Sequence, residues 1–181
     1  MGLEDVRKAV IVCTKCGLCK TRTNAVPGKG NPNSKVVFVG EAPGRMEDER
    51  GEPFVGAAGK RLTDALARNG ISRDSVYITN VVKCRPPDNR VPTEEERSMC
   101  RNYLEAELDL IKPEVVCILG NTASSSVLGR GEITKNRGKI IEKDGRKYFL
   151  TFHPAAIIYN RELASVFDDD IATLAKIIKK D

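Results

Sequence analysis

Four short runs along the chain are apolar with scarcely a break: Lys35–Glu41 (KVVFVGE), Ser75–Val81 (SVYITNV), Glu114–Gly120 (EVVCILG) and Lys147–His153 (KYFLTFH). They are rich in Val, Ile and Phe, and continuous rather than alternating. That pattern predicts strands covered on both faces in a parallel sheet. Between them the apolar positions recur at helical spacing. Ala57–Asn69 puts Ala58, Leu62, Ala65 and Leu66 on one face, and Gly70 stops it. Thr93–Ile111 opens with a capping box, Thr93 and Glu96, after Pro92; Met99, Tyr103, Leu104 and Leu108 form its stripe and Pro113 ends it. Asn121–Leu128 reads as a short helix, and Glu162–Lys179 carries Leu163, Phe167, Ile171, Leu174 and Ile178 along one face. Asp144–Gly145 predicts a hairpin turn that adds Ile140–Lys143 as one antiparallel strand. Strand and helix alternate, so the expected class is α/β with a mostly parallel, four-stranded central sheet.

In such sheets ligands bind beyond the carboxyl ends of the strands, and the unusual residues of this chain sit there. The first strand ends in Gly40-Glu41-Ala42-Pro43-Gly44, a turn that leaves backbone N–H groups open to an acceptor. The spacing is not a dinucleotide fingerprint, and Gly59-Lys60 lacks the remainder of a phosphate loop. The second strand ends at Asn80. An asparagine in an apolar run is either a buried structural hydrogen-bonder or a reader of a ligand; its planar amide can tell a uracil edge from a cytosine edge. The fourth strand runs into His153-Pro154, where the proline keeps His153 extended and aims it off the strand end. His153 is the chain's one histidine, and reads as either a satisfied core residue or a functional one. A loop is expected from Ala155 to Arg161. In it Ile157 and Ile158 are either buried beneath the last helix or an exposed apolar wedge.

Length and composition narrow the setting. The 181 residues fit a single domain, and 40% apolar with 30% charged residues describes a folded globule. No apolar run approaches the ~18 residues of a membrane span, and Met1–Val12 lacks a signal-peptide cleavage site; the expected location is the cytoplasm. The net charge of +5 is unevenly spread. Arg7–Lys35 holds seven basic and no acidic residues, Arg130–Lys147 nets +4, and the stretch from Glu162 onward nets −2. Two basic segments suit a polyanionic partner, against the plainer reading of solvated surface charge.

Six cysteines are many for a reducing compartment. Cys13-x-x-Cys16 is half of a soft-metal site, and Cys84 and Cys100 can face it. Cys117, inside an apolar strand, reads as core. Cys19 extends the first pair toward a ferredoxin-like spacing, without the closing Cys-Pro. Four thiolates suit zinc or a [4Fe–4S] cluster, and spacing does not choose between them.

Taken together, Cys13-x-x-Cys16, Gly40–Gly44 (GEAPG), Glu52–Gly56 (EPFVG), Ile78–Pro87 (ITNVVKCRPP) and His153–Ala156 (HPAA) resemble the family 4, thermostable iron–sulfur uracil-DNA glycosylases over nearly the whole chain. The resemblance implies a three-layer α/β/α fold and a structural [4Fe–4S] cluster on Cys13, Cys16, Cys84 and Cys100, in a segment spanning about residues 10–30 and the loop after Asn80. It implies a monofunctional DNA repair hydrolase that flips deoxyuridine out of single- or double-stranded DNA, releases uracil and leaves an abasic site. Phe54 would stack on the base and Asn80 would read N3–H and O4. Backbone at Gly40, Glu41 and Ala42, with His153, would face O2 as charge grows there. Glu41 would orient water or balance the sugar cation, since Ala42 stands where other uracil-DNA glycosylases carry a water-positioning aspartate. Glu47 would block the thymine methyl. Ile157 and Ile158 would fill the gap in the stack, and Arg161 would hold phosphate. A monomer is expected, without a membrane partner. No replication-clamp-binding tail is evident after Ile178. The competing reading is a non-catalytic iron–sulfur or zinc module that binds nucleic acid.

Overall fold

The computed structural model describes residues 1–179. In chain order its elements are helix α1 (Leu3–Ile11), strands β1 (Lys29–Gly30) and β2 (Val36–Gly40), helices α2 (Arg45–Arg50) and α3 (Ala57–Arg68), β3 (Tyr77–Asn80), α4 (Glu94–Ile111), β4 (Val115–Leu119), α5 (Asn121–Leu128), α6 (Ile133–Asn136), β5 (Ile140–Lys143), β6 (Arg146–Thr151), α7 (Pro154–Ile157) and α8 (Arg161–Ile178). The strands form one sheet in the order β1-β3-β2-β4-β6-β5.

The inner strands β3, β2, β4 and β6 are all parallel, and they are the four runs that the apolar pattern picks out. They are continuous because alternate residues leave on opposite faces and both faces are covered. Val36, Phe38, Cys117 and Phe149 pack under Leu62 and Leu66 of α3 and Phe167, Ile171 and Leu174 of α8. Val37, Val39, Val116, Ile118 and Leu150 pack under Leu104 and Leu108 of α4 and Leu128 of α5. The result is the three-layer α/β/α stack, with each large apolar side chain contributing roughly 1.5–3 kcal/mol by burial.

The sheet has six strands rather than four plus a hairpin strand. β5 pairs antiparallel with β6 across Asp144–Gly145, both at positive φ (52° and 78°), as a type I′ turn requires. β1 is the strand that the pattern does not reveal: two exposed residues, antiparallel to β3. Gly30 is essential to it, since a Cβ there would lie 2.0 Å from the Val76 carbonyl oxygen.

Three other local readings change. Helix α1 forms from a stretch with too few apolar residues to stand out; Val6 and Val10 pack with Leu18 and Ala25 against Tyr103, Ala106 and Leu110 of α4. On α4, Met99 is 42% exposed rather than core. The stretch after His153 is not all loop, because Pro154 starts the one-turn α7; α8 then begins at Arg161, where Asn160 Oδ1 accepts the Leu163 N–H at 3.2 Å. The stretch after Ile178, in which no clamp-binding tail is evident, ends in residues 180 and 181, outside the described residues. Among the described residues no helix is long and apolar enough to cross a membrane.

Cys117 is fully buried in β4, and burial pushes its thiol pKa well above the ordinary value. Cys117→Ala should therefore act as a small core truncation, lowering the urea-unfolding free energy by about 1 kcal/mol without changing the metal content. Loss of metal from this variant would show that Cys117 does more than pack.

Candidate active site

The register of the parallel strands aligns their carboxyl ends: Gly40 lies beside Asn80, and Leu119 beside Thr151. The loops beyond those ends enclose a cavity of about 360 Å³. Phe54, Asn80 and His153, from three distant segments, all line it, together with Glu41, Ala42, Pro43, Gly44, Glu47, Ala155 and Ala156. Pro86, Asn89 and Arg90 form a further wall from the loop after β3.

Phe54 is held in a conformation that it would not choose. Its φ is +52°, left-handed for a bulky residue, a strain of order 1–3 kcal/mol. Three partners fix it. Arg73 donates from Nη1 to the Phe54 carbonyl at 2.6 Å and from Nη2 to the Pro53 carbonyl at 2.7 Å. Glu47 accepts the N–H groups of Val55 at 2.9 Å and Gly56 at 2.6 Å on Oε2, and that of Gly44 at 3.1 Å on Oε1. Gly59 lets α3 close on the loop, since a Cβ there would stand 1.9 Å from the Phe54 carbonyl oxygen. The phenyl ring is thereby set beside the His153 imidazole, centroids 5.6 Å apart and planes 30° from parallel. Glu47, expected as a methyl-excluding wall, lines the cavity with its carboxylate already engaged by three backbone donors.

Asn80 is 2% exposed, and its Oδ1 is buried without a hydrogen-bond partner among the described residues. Leaving a buried amide oxygen unpaired costs about 1–3 kcal/mol, and a ligand N–H would relieve it. The amide and the Phe54 ring meet over Gly40, where a Cβ would come within 2.5 Å of both.

His153 caps α7: its Nδ1 accepts the Ala155 N–H at 3.0 Å. With Nδ1 an acceptor, the neutral ring carries its proton on Nε2. Burial lowers the pKa to about 4, with nearby Glu47 opposing the shift. Gly120, at φ +93°, makes the room: a Cβ there would be 3.0 Å from that of His153.

Beyond the cavity the chain presents Ile158 at 37% and Tyr159 at 97% exposure, then exposed Arg161 at the start of α8. Ile157 does not join them. It is 1% exposed and packed in the core shared by α3 and α8, so the wedge expected of the isoleucine pair is corrected to Ile158 alone, with Tyr159 beside it.

Cys13, Cys16, Cys84 and Cys100 line a second, smaller cavity, and Cys19 lines it too. The N-terminal segment is tied there by the Val26 N–H, which donates to the Lys83 carbonyl at 2.6 Å. Arg22 Nη1 donates to Cys84 Sγ at 3.2 Å and the Lys83 N–H to Cys100 Sγ at 3.3 Å. Burial pushes the Cys16 and Cys84 thiols up, and that of Cys100 up to about 11. Soft sulfur donors around one cavity, two of them already facing N–H donors, fit a thiolate-bound metal group. Among the described residues no three Cys, His, Asp or Glu side chains converge closely enough to hold a single ion.

A profile of the Uracil DNA glycosylase superfamily matches residues 27–175, and the chain belongs to that superfamily. Among its relatives is a type-4 uracil-DNA glycosylase of Thermotoga maritima, 46% identical over 99% of this chain and 96% of the relative. Another, from Archaeoglobus fulgidus, is 44% identical over 99% and 94%. A type-5 uracil-DNA glycosylase of Pyrobaculum aerophilum is more distant, at 33% over 86% of the chain. Within the superfamily, the chain belongs to the type-4 family.

The depressed His153 pKa has a measurable sign. An unfolded histidine titrates near ~6.5, so between about pH 4 and that value the unfolded chain binds the extra proton. The stability that His153 contributes is complete above ~6.5 and lost as pH falls through about 4. Nitrogen-15 NMR should find the ring neutral, with its proton on Nε2, at every pH above about 5. A folded-state titration near ~6.5 would overturn this assignment.

Proposed function

We infer that this protein is a uracil-DNA glycosylase, a DNA repair hydrolase that cleaves the N-glycosidic bond of an extruded deoxyuridine and leaves an abasic site with the strand intact. The observation that carries the reading is the convergence of Phe54, Asn80 and His153 on one cavity. The type-4 relatives supply the substrate class. Extrusion is needed because the glycosidic bond is out of reach within the duplex.

Phe54 stacks on the uracil face, an interaction worth roughly 1–3 kcal/mol by analogy with other base–aromatic contacts. Asn80 Oδ1 accepts the uracil N3–H and its amide group donates to O4; cytosine, with an acceptor at N3, leaves that oxygen unpaired. The His153 Nε2–H and the backbone at Gly40, Glu41 and Ala42 face O2. As the C1′–N1 bond breaks, its electron pair moves onto the uracil ring and O2 gains charge, which those donors stabilise. Glu41, at the mouth of the same turn, orients water or balances the sugar cation where Ala42 has no carboxylate to do so. Glu47 fixes the wall against which the thymine methyl would press. Ile158 enters the vacated stack, while Arg161 and the basic N-terminal segment hold phosphates.

Cys13, Cys16, Cys84 and Cys100 would hold a [4Fe–4S] cluster. All four line one cavity as soft sulfur donors, and the type-4 relatives favour the cluster over zinc. Held by these residues, the cluster would tie the N-terminal segment to the loop after β3. The reading extends to a monomer acting on uracil-containing DNA in the cytoplasm.

A uracil-containing labelled oligonucleotide should yield free uracil and an alkali-labile site, uncleaved before alkali. His153→Ala should lower the rate about 10²–10³-fold with DNA binding intact. Binding with a steep salt slope but no release from either strand form would return the reading to a non-catalytic module. Protein purified anaerobically should be brown, with broad absorbance near ~400 nm, and Cys13→Ser or Cys84→Ser should lose iron and stability together. Colourless protein carrying zinc would sink the cluster assignment.

A further inference from the structure

Between the two cavities lies a buried ion pair that neither the base chemistry nor the cysteine set has used. Lys83 and Glu107 have side chains only 1% exposed. The Lys83 ammonium donates to Glu107 Oε2 at 2.7 Å, to the Asn80 carbonyl at 2.8 Å and to Thr79 Oγ1, so all its protons are placed. Glu107 also accepts from Thr79 Oγ1 at 2.9 Å, the Gly28 N–H at 3.0 Å and Tyr77 Oη at 3.2 Å. A satisfied pair of this kind is often no more stabilising than an apolar pair of the same volume, so stability does not account for it. Its placement does. The Lys83 side chain grips the backbone of Asn80 while the Lys83 backbone donates to Cys100 Sγ and accepts from Val26.

We propose that Lys83 and Glu107 are positioning residues: the pair sets the Asn80 amide in the base cavity. The proposal rests on the uracil-reading role of Asn80. It gives a reason for a charged residue three positions beyond Asn80 in an otherwise apolar run, and for an acid on the core-facing side of α4.

The test is the double variant Lys83→Met/Glu107→Leu, which removes both charges without stranding either. Three readouts are taken: iron content, the nitrogen-15 signal of the Asn80 side-chain amide, and inhibition by free uracil. The expected result is wild-type iron, a lowered melting temperature as Thr79, Tyr77, the Gly28 N–H and the Asn80 carbonyl lose a partner, a displaced Asn80 signal, and inhibition weakened about tenfold. Such a loss corresponds to about 1.4 kcal/mol. Thr79→Val, which deletes one member of the network, should move the Asn80 signal in the same direction by less, and it decides the matter if the double variant does not fold. An Asn80 signal and uracil inhibition unchanged from wild type, with only the melting temperature altered, would overturn the proposal. A wild-type protein that releases no uracil would instead defeat the glycosylase reading, and the Asn80 signal would still decide the role of the pair.

Discussion

The base cavity depends on an absence at position 40. The last residue of β2 has no side chain, and into that space come the Phe54 ring from one direction and the Asn80 amide from the other. Even a methyl group would strike both. The parallel register places Gly40 directly beside Asn80, so the gap is built by backbone pairing and filled by groups from separate loops. Any larger residue there would have to displace a strand end or expel the ring. In either case the flat slot between aromatic face and amide would be gone.

What holds the slot open is a set of opposed constraints rather than a rigid loop. Phe54 sits in a left-handed backbone geometry that would relax if released. It is restrained by a guanidinium clamping two successive carbonyls and by a carboxylate clamping the next two amides. Such restraints are typical of sites whose geometry is fixed before the ligand arrives. The same logic recurs at His153, where a backbone N–H settles the tautomer, and at Asn80, where a buried ammonium holds the main chain.

Much of the fold was legible because the four inner strands are covered on both faces and so are apolar without interruption. The helix stripes and the Thr93–Glu96 capping box were equally plain. β1 was not, since two exposed residues generate no period. Met99 was misread because a stripe drawn on helical spacing does not say where the neighbouring layer stops. Among the site residues, Asn80 and His153 stood out as residue types misplaced for their local pattern, while Phe54 entered only through the Glu52–Gly56 motif of the resemblance. Arg73 did not, because its partners are backbone carbonyls, which leave no trace in side-chain sequence. Lys83 and Glu107 did not either, because their pairing joins positions brought together only by the fold. Ile157 and Ile158 look alike in sequence; the single helical turn begun by Pro154 sends one inward and leaves the other at the surface.

On the proposed reading, the protonation state of His153 also bears on how the base departs once its bond to the sugar is broken. An imidazolium would meet the departing base as a full opposite charge and bind it as an ion pair. A neutral ring offers a dipole instead, enough to favour the moment of charge separation but a weaker trap afterwards. Once the expelled anion picks up a proton, little electrostatic attraction remains to delay its escape. Low basicity at this one ring thus favours rapid turnover over retention of the freed pyrimidine.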